Sequence, residues 1–420
     1  MPFIKSIYAR EVLDSRGYPT VAVEVCAQCG MAAGAIVPAG SSTGIYEALD
    51  LRDMEEKRYL GQGVKKAVEH VNQTIAPQLC GMCIFDQVGI DQAMSLLDGT
   101  DNKGNLGANS ILGVSLACAK TAAACLSMPL YRYVGGCFAR RLPVPMITMI
   151  SGGKHANNGL SFQEFMIMPA GTDCFREGVR VGAEVFHHLG RILDMEGYST
   201  AVGAEGGYAP DISSNEKALA LIIQAIVKAG YQPGKDVVLA LDAAATEFWI
   251  NGKYCLSQKE NMSMTTGELI QYYHYLCDKF PIRAIEDGMD QDDWEGWCGL
   301  TVELGQKVSI IGDDFFVSSP SRIQMGVQKR AGTGVLIKPN QAGTLTQAMA
   351  AADFARNAGY EVIFSHRLGD SEDTTISDLA VALNTEKIKI GALCRAERTA
   401  KYNRLLKIEE ELGETALYSH

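Results

Sequence analysis

Six runs of β-branched and other apolar residues in the second part of the chain each end on charged side chains. Asp236-Val237-Val238-Leu239-Ala240-Leu241 is followed by Asp242, Ile282-Arg283-Ala284-Ile285 by Glu286, and Val308-Ser309-Ile310-Ile311-Gly312 by Asp313. Gly334-Val335-Leu336-Ile337 is followed by Lys338, Glu361-Val362-Ile363-Phe364-Ser365 by His366-Arg367, and Glu386-Lys387-Ile388 by Lys389. Three carboxylates brought to one face would repel and push each other's pKa upward. A hard divalent cation relieves that repulsion, and oxygen-only ligands favour Mg²⁺ with room left for water and substrate oxygens. Beside such a cation and near Lys389, Lys338 is expected to lose its proton more easily and to suit general-base work at neutral pH. His366-Arg367 supplies a fixed positive charge and a fork for phosphate or carboxylate. The competing reading is a set of buried ion pairs with no chemistry, although such pairs rarely add net stability.

Weaker candidates lie upstream. Ser151-Gly152-Gly153-Lys154-His155 is a glycine turn carrying a histidine, and Gln163-Glu164-Phe165 follows a short apolar run. Val202-Gly203-Ala204-Glu205-Gly206-Gly207 sets a glutamate among glycines that permit close backbone approach. Each alone reads as an ordinary turn residue.

The elements that must position these groups are legible in the spacing. The charged ends at 242, 286, 313, 338, 366 and 389 are 44, 27, 25, 28 and 23 residues apart. After the first, each interval fits one strand plus one helix. The segment 215–229 is amphipathic, begins after the capping pair Ser213-Ser214 and stops at Gly230. Alternating units with almost continuously apolar strands predict a parallel sheet covered by helices. At this length a closed (β/α) barrel is expected, with all strand ends on one face. A doubly wound open sheet would gather its ligand groups at one crossover instead. The first part differs: strands are expected at 4–9 and 21–25, and helices at 64–76, 85–97 and 108–126, an α+β pattern. Arg140-Arg141-Leu142-Pro143-Val144-Pro145 breaks any helix, so the expected domains are 1–140 and 141–420.

The chain has 420 residues, 47% apolar and 21% charged, as a globular protein should. With 38 basic and 49 acidic side chains its net charge is −11, which argues against a nucleic-acid face. The start lacks a signal-peptide pattern. The apolar stretch 113–130 is interrupted by Lys120 and reads as a core helix, not a membrane span. A cytoplasmic location follows as an expectation, and with it 12 reduced cysteines. Cys26-Ala-Gln-Cys29 and Cys80-Gly-Met-Cys83 could make a four-thiolate zinc site, but the pairs are too far apart for ribbon spacing.

Ordered motifs then carry a resemblance. They are Asp14-Ser15-Arg16-Gly17, Gly40-Ser41-Ser42-Thr43-Gly44, Leu97-Asp98-Gly99-Thr100, Gln163-Glu164-Phe165-Met166 and Glu205-Gly206-Gly207-Tyr208-Ala209-Pro210. They continue through Ile285-Glu286-Asp287-Gly288, Gly312-Asp313-Asp314, Ile337-Lys338-Pro339-Asn340-Gln341, Ser365-His366-Arg367 and Ala400-Lys401-Tyr402-Asn403. Over essentially its whole length the chain resembles the enolase family. The resemblance implies a C-terminal (β/α)8-type barrel and a smaller N-terminal α+β capping domain with an active-site loop at 39–44. It implies reversible dehydration of 2-phosphoglycerate to phosphoenolpyruvate, with two Mg²⁺ per site. One would be held tightly by Asp242, Glu286 and Asp313, the other bound with substrate and reached by Ser42. Lys338 would be the base, Glu205 the acid supported by Glu164, and His155, Gln163, His366, Arg367 and Lys389 the substrate grip. A lysine base with Mg²⁺ is the general pattern of that superfamily. A homodimer, in some members an octamer, is implied as well. Ala39, Ala204 and Leu368 stand where the family pattern has Ser, Asp and Ser. Two further readings stay open on those departures: a related lyase acting on a different acid, and a low-activity paralogue with a binding role.

Overall fold

The computed structural model describes residues 2–40, 44–256 and 262–418. The N-terminal part opens with an antiparallel sheet of β1 (Ile4–Leu13), β2 (Pro19–Ala27) and β3 (Ala32–Ile36). The β1–β2 turn is closed by the Asp14 carboxylate, which accepts from the backbone N–H of Arg16 at 2.8 Å and of Tyr18 at 3.2 Å. Helix Ala108–Cys125 packs across β2 and β3. Its composition would allow a membrane span, yet 83% of it is buried within the fold. Lys120, the residue that breaks its apolar run, reaches Asp373 at 2.7 Å.

The larger part is a closed eight-stranded barrel. Its strands are β4 (Val144–Ser151), β5 (Glu164–Met168), β6 (Val238–Asp242), β7 (Ile282–Glu286), β8 (Ser309–Gly312), β9 (Gly334–Ile337), β10 (Glu361–Ser365) and β11 (Lys387–Lys389). They neighbour each other in chain order, and β11 closes on β4. One expectation fails: the sheet is not all parallel, because β5 runs antiparallel to both β4 and β6. The segment 152–163 has turns and a short 3-10 piece where a parallel connection needs a crossover helix, so the chain returns as a hairpin. From β5 the chain passes through helices Phe175–Met195 and Asn215–Lys228 to β6. The second is capped as expected, with the Ser214 hydroxyl accepting from Lys217 N–H at 3.2 Å.

Inside the barrel, strand periodicity separates two zones. Val144, Met146, Met166, Met168, Val238, Ala240, Ala284, Ile311, Leu336 and Ile363 form a dry apolar plug. Side chains two apart share a face. Two residues beyond the plug come Thr148, Asp242, Glu286, Asp313, Lys338 and Ser365, and Lys389 ends β11 beside them. On the reversed strand β5 the corresponding residue lies two before Met166, which is Glu164.

The N-terminal part roofs this charged end. Ala39 and Gly369 exchange backbone hydrogen bonds at 2.7 and 2.9 Å, and Ser15 N–H donates to the Asp370 carbonyl at 2.8 Å. Asp373 ties both parts together, accepting from Lys120 and, at 3.1 Å, from Ile36 N–H. Burial would raise its carboxyl, but the Lys120 charge and the Thr375 donors outweigh burial and hold it below the ordinary range. A depressed carboxyl contributes stability that is present above the unfolded pKa and lost as pH falls through the folded one. Asp373→Asn should therefore lower the unfolding free energy by about 1–3 kcal/mol at neutral pH. In urea titrations that gap should narrow as the pH is taken below the ordinary aspartate range; a gap independent of pH would refute the ion pair as its source.

Candidate active site

The charges above the plug neutralise one another. Lys389 Nζ is 2.8 Å from both Asp242 Oδ2 and Glu286 Oε2, and 3.5 Å from Glu164 Oε2. Lys338 pairs with Asp313, whose other oxygen accepts from Gln341 Nε2 at 2.9 Å. Arg367 donates to Glu47 of the N-terminal part at 2.9 and 3.2 Å and to Asn340 Oδ1 at 3.3 Å. Gln163 Nε2 donates to Asp242 Oδ2 at 3.2 Å. The ion-pair reading of these residues is thus partly realised. With lysines between them, Asp242, Glu286 and Asp313 are not drawn tightly together. Among the described residues, ligand atoms approach within 4.8 Å in two groups, His155–Glu164–Glu205 and Asp287–Asp313–Asp314. Both groupings are consistent with a divalent cation.

Apart from Glu286, every described candidate lines one cleft, from His155, Gln163, Glu164 and Glu205 across to Lys338, His366, Arg367 and Lys389. Ser42 lies outside the described residues. Among the described residues, Ser151 Oγ and Gln163 Oε1 are buried beside this cleft without a hydrogen-bond partner, and His155 Nδ1 stands 3.1 Å from Glu164 Oε1 and 3.7 Å from Glu205 Oε2. Unpaired buried polar groups are costly, so a cluster of them marks a place built for a ligand.

Titration follows the pairing. Burial pushes Glu286 well above the carboxylate range, and Asp242 beside it adds to that. Burial and Asp313 push Asp314 up to about 7. Burial works against the charge on Lys389, but Asp242, Glu164 and Glu286 hold it well above its usual value. Burial also raises Asp313, and the charges of Lys338 and Arg367 reverse this to a net lowering. Burial opposes the charge on Lys338, but Asp313 and Glu286 prevail and raise it where no cation competes for them. Glu205 is governed by the charges around it. Burial does push it up, but the charge on His155, the contact with Glu164 and the charges of Arg398 and Lys389 bring it down to about 2.

Two family descriptions cover the chain almost completely: "Enolase, N-terminal domain" over residues 4–134 and "Enolase, C-terminal TIM barrel domain" over residues 139–420. The chain belongs to the enolase family. Its reaction is the enolase reaction, the reversible dehydration of 2-phosphoglycerate to phosphoenolpyruvate, and it is a carbon–oxygen lyase acting on a small-molecule substrate.

Leu368, where the family pattern has Ser, is buried on the cleft wall next to Arg367. Ala39 sits in the backbone pairing with Gly369. The two Cys-x-x-Cys pairs make no zinc site: no cysteine belongs to a close group of three or more ligands among the described residues, and all 12 cysteines are free. Cys29 instead faces Cys125 at 3.2 Å, across the β2–helix contact.

Sequence reasoning missed four residues that hold the enolase groups. Glu47 grips Arg367, Gln341 braces Asp313, and Arg398 lies behind His366. Asp287 accepts from Asp313 N–H at 2.8 Å and Asp314 N–H at 2.9 Å, fixing the loop that presents both carboxylates. Asp287 and Gln341 stand inside the motifs 285–288 and 337–341 read above, where no role was assigned to them.

Removing Lys389 leaves Asp242 and Glu286 buried without their cation. Lys389→Met should cost about 3–5 kcal/mol in urea unfolding without divalent cations, the size of a broken buried pair. Added Mg²⁺ should restore more stability to the variant than it gives the parent chain; equal gains would show that Lys389 and the cation do not share these carboxylates.

Proposed function

We propose that Lys338 takes the proton from C2 of 2-phosphoglycerate and that Glu205, supported by Glu164, gives a proton to the departing C3 hydroxyl. One observation carries this reading. Lys338 directly follows β9 and Glu164, next to Glu205, begins β5, half-way round the ring of eight strands, so a single cleft has a base and an acid facing it from opposite sides. The hydrogen at C2 is weakly acidic because its removal puts a second negative charge on the carboxylate. Hydroxide is a poor leaving group, so base and acid must be different residues on different faces.

Asp242, Glu286 and Asp313 suit Mg²⁺: they are buried and offer only oxygen, and burial, with Asp242 adding to it, holds Glu286 far above its range. When bound there, Mg²⁺ supplies charge that opposes the negative charge developing on the substrate carboxylate. We assign two Mg²⁺ per site, a tight one at these carboxylates and one arriving with substrate. Asp313 has two partners to choose between. Engaged with Lys338 it keeps the ammonium protonated; engaged elsewhere it releases Lys338 to act as base. Glu205 must carry a proton to serve as acid. A phosphate and a carboxylate brought beside it offset the cations that depress it, and raise it. His155, Gln163, His366, Arg367 and Lys389 orient the substrate, Arg367 with its fork on the phosphate. A cytoplasmic homodimer completes the reading; 12 free thiols suit a reducing compartment.

The first test is a coupled assay of 2-phosphoglycerate conversion with and without Mg²⁺, where full activity after exhaustive chelation would sink the metal assignment. The second separates the steps. Glu205→Gln should still exchange the C2 hydrogen with solvent deuterium while forming almost no phosphoenolpyruvate. Lys338→Ala should do neither. Turnover should fall at least roughly 10²–10⁴-fold in each, the usual general acid–base contribution. Exchange surviving in Lys338→Ala but not in Glu205→Gln would reverse the roles.

Leu368 gives a further prediction. A hydroxyl there could donate to the phosphate, so Leu368→Ser should lower KM by up to roughly tenfold, the equivalent of about 1.5 kcal/mol for a bond to a charged group. An unchanged KM in steady-state kinetics would place the phosphate away from Leu368.

A further inference from the structure

Arg398 lies in the first turn of helix Ala396–Leu412 and is 0% exposed. A helix N-terminus disfavours a cation, so helix stability does not account for it. Its terminal nitrogens are spent on the walls of the cleft. Nη1 donates to Nδ1 of His366 and to the Arg367 carbonyl at 2.7 Å. Nη2 donates to the carbonyls of Leu368 at 2.6 Å and Ala204 at 3.4 Å. Asp370 and Glu397 balance the buried charge, each at 3.6 Å. Gly391 makes the close approach possible: with φ at +80°, a Cβ there would stand 3.0 Å from Arg398 Cδ and 3.2 Å from His366 Cε1.

A guanidinium has donors and no acceptor. Nδ1 of His366 must therefore accept, and the ring proton must sit on Nε2. That nitrogen is 3.4 Å from Oε1 of Glu205. The other carboxylate oxygen, Oε2, makes no regular hydrogen bond among the described residues and lies beside the cleft, 3.7 Å from His155 Nδ1. We propose that Arg398 is a positioning residue that fixes His366 as an Nε2–H donor to Oε1 of Glu205, leaving Oε2 to carry the proton delivered to the leaving hydroxyl. The same side chain holds the carbonyl just before the acid, that of Ala204, and the carbonyls of Arg367 and Leu368. This rests on Glu205 being the acid; the tautomer itself does not.

Two-bond ¹H–¹⁵N correlation spectra of the imidazoles, with His366 identified by loss of its signals in His366→Gln, report the tautomer of the parent chain directly. The expected pattern has the proton on Nε2 and a bare Nδ1. A proton on Nδ1 would overturn the proposal with no variant needed and without bearing on the reaction. Arg398→Met should shift His366 toward a mixture of tautomers and cut phosphoenolpyruvate formation roughly 10–100-fold, the usual cost of losing an orienting partner. C2 deuterium exchange, which depends on Lys338, should change much less. Arg398→Lys retains a donor and should keep the tautomer and recover most of the activity. An unaltered tautomer in Arg398→Met, or equal losses of exchange and elimination, would refute the positioning role. Absence of 2-phosphoglycerate turnover in the parent chain would count against the assigned reaction instead. Should Arg398→Met fail to fold, the parent spectrum and Arg398→Lys decide.

Discussion

Charge placed above a dry plug governs this molecule. The lower barrel interior is filled by side chains such as Met146, Met166, Ile311 and Leu336, and strand periodicity puts acids and lysines directly above them. Water cannot enter from below, so each charge must find its counter-charge among its neighbours. Lys389 answers three carboxylates at once, and Lys338 answers Asp313. The pairs that keep the ligand-free barrel neutral are drawn from the residues the chemistry needs. Ligand binding is therefore an exchange of partners, in which the cost of burying the charges has already been met by folding.

The roof follows from the same constraint. Arg367 finds its carboxylate in Glu47, and Glu47 also accepts from Gly44 N–H at 3.0 Å. The Arg367 guanidinium is thus held from the N-terminal part, as is the segment after it through Ser15, Arg16 and Ala39. Neither part alone makes a complete site, which explains a large buried polar inventory at a domain junction.

Legibility in the sequence was uneven for physical reasons. The six strand ends could be read because parallel strands are apolar on both faces, so a charge stands out where the strand stops. Glu164 gave no such signal, since on an antiparallel strand the polar position comes first and looks like loop. Protonation states are not legible at Lys338 and Glu205, because they depend on which neighbour lies within a few ångströms, not on composition. Arg398 was readable in principle. It stands at the head of the buried stripe Arg398, Tyr402, Leu405, Ile408 and Leu412, at helical spacing. An arginine in a helix this rich in Lys and Glu is naturally taken as solvent-facing.

The reversed strand has a further effect. β5 ends at the opposite mouth of the barrel from the cleft, and β6 starts there, so the link between them could have stayed at that mouth. Instead its two helices climb and descend, and Glu205 rides on the bend between them. Lys338, Asp242, Glu286 and Asp313 stand at strand ends, whereas Glu205, the proposed proton donor, is delivered by a detour. The two halves of the elimination thus have separate mechanical supports. Selection could retune how the hydroxyl departs, through that bend and Ala204, while the apparatus that forms the carbanion stays untouched.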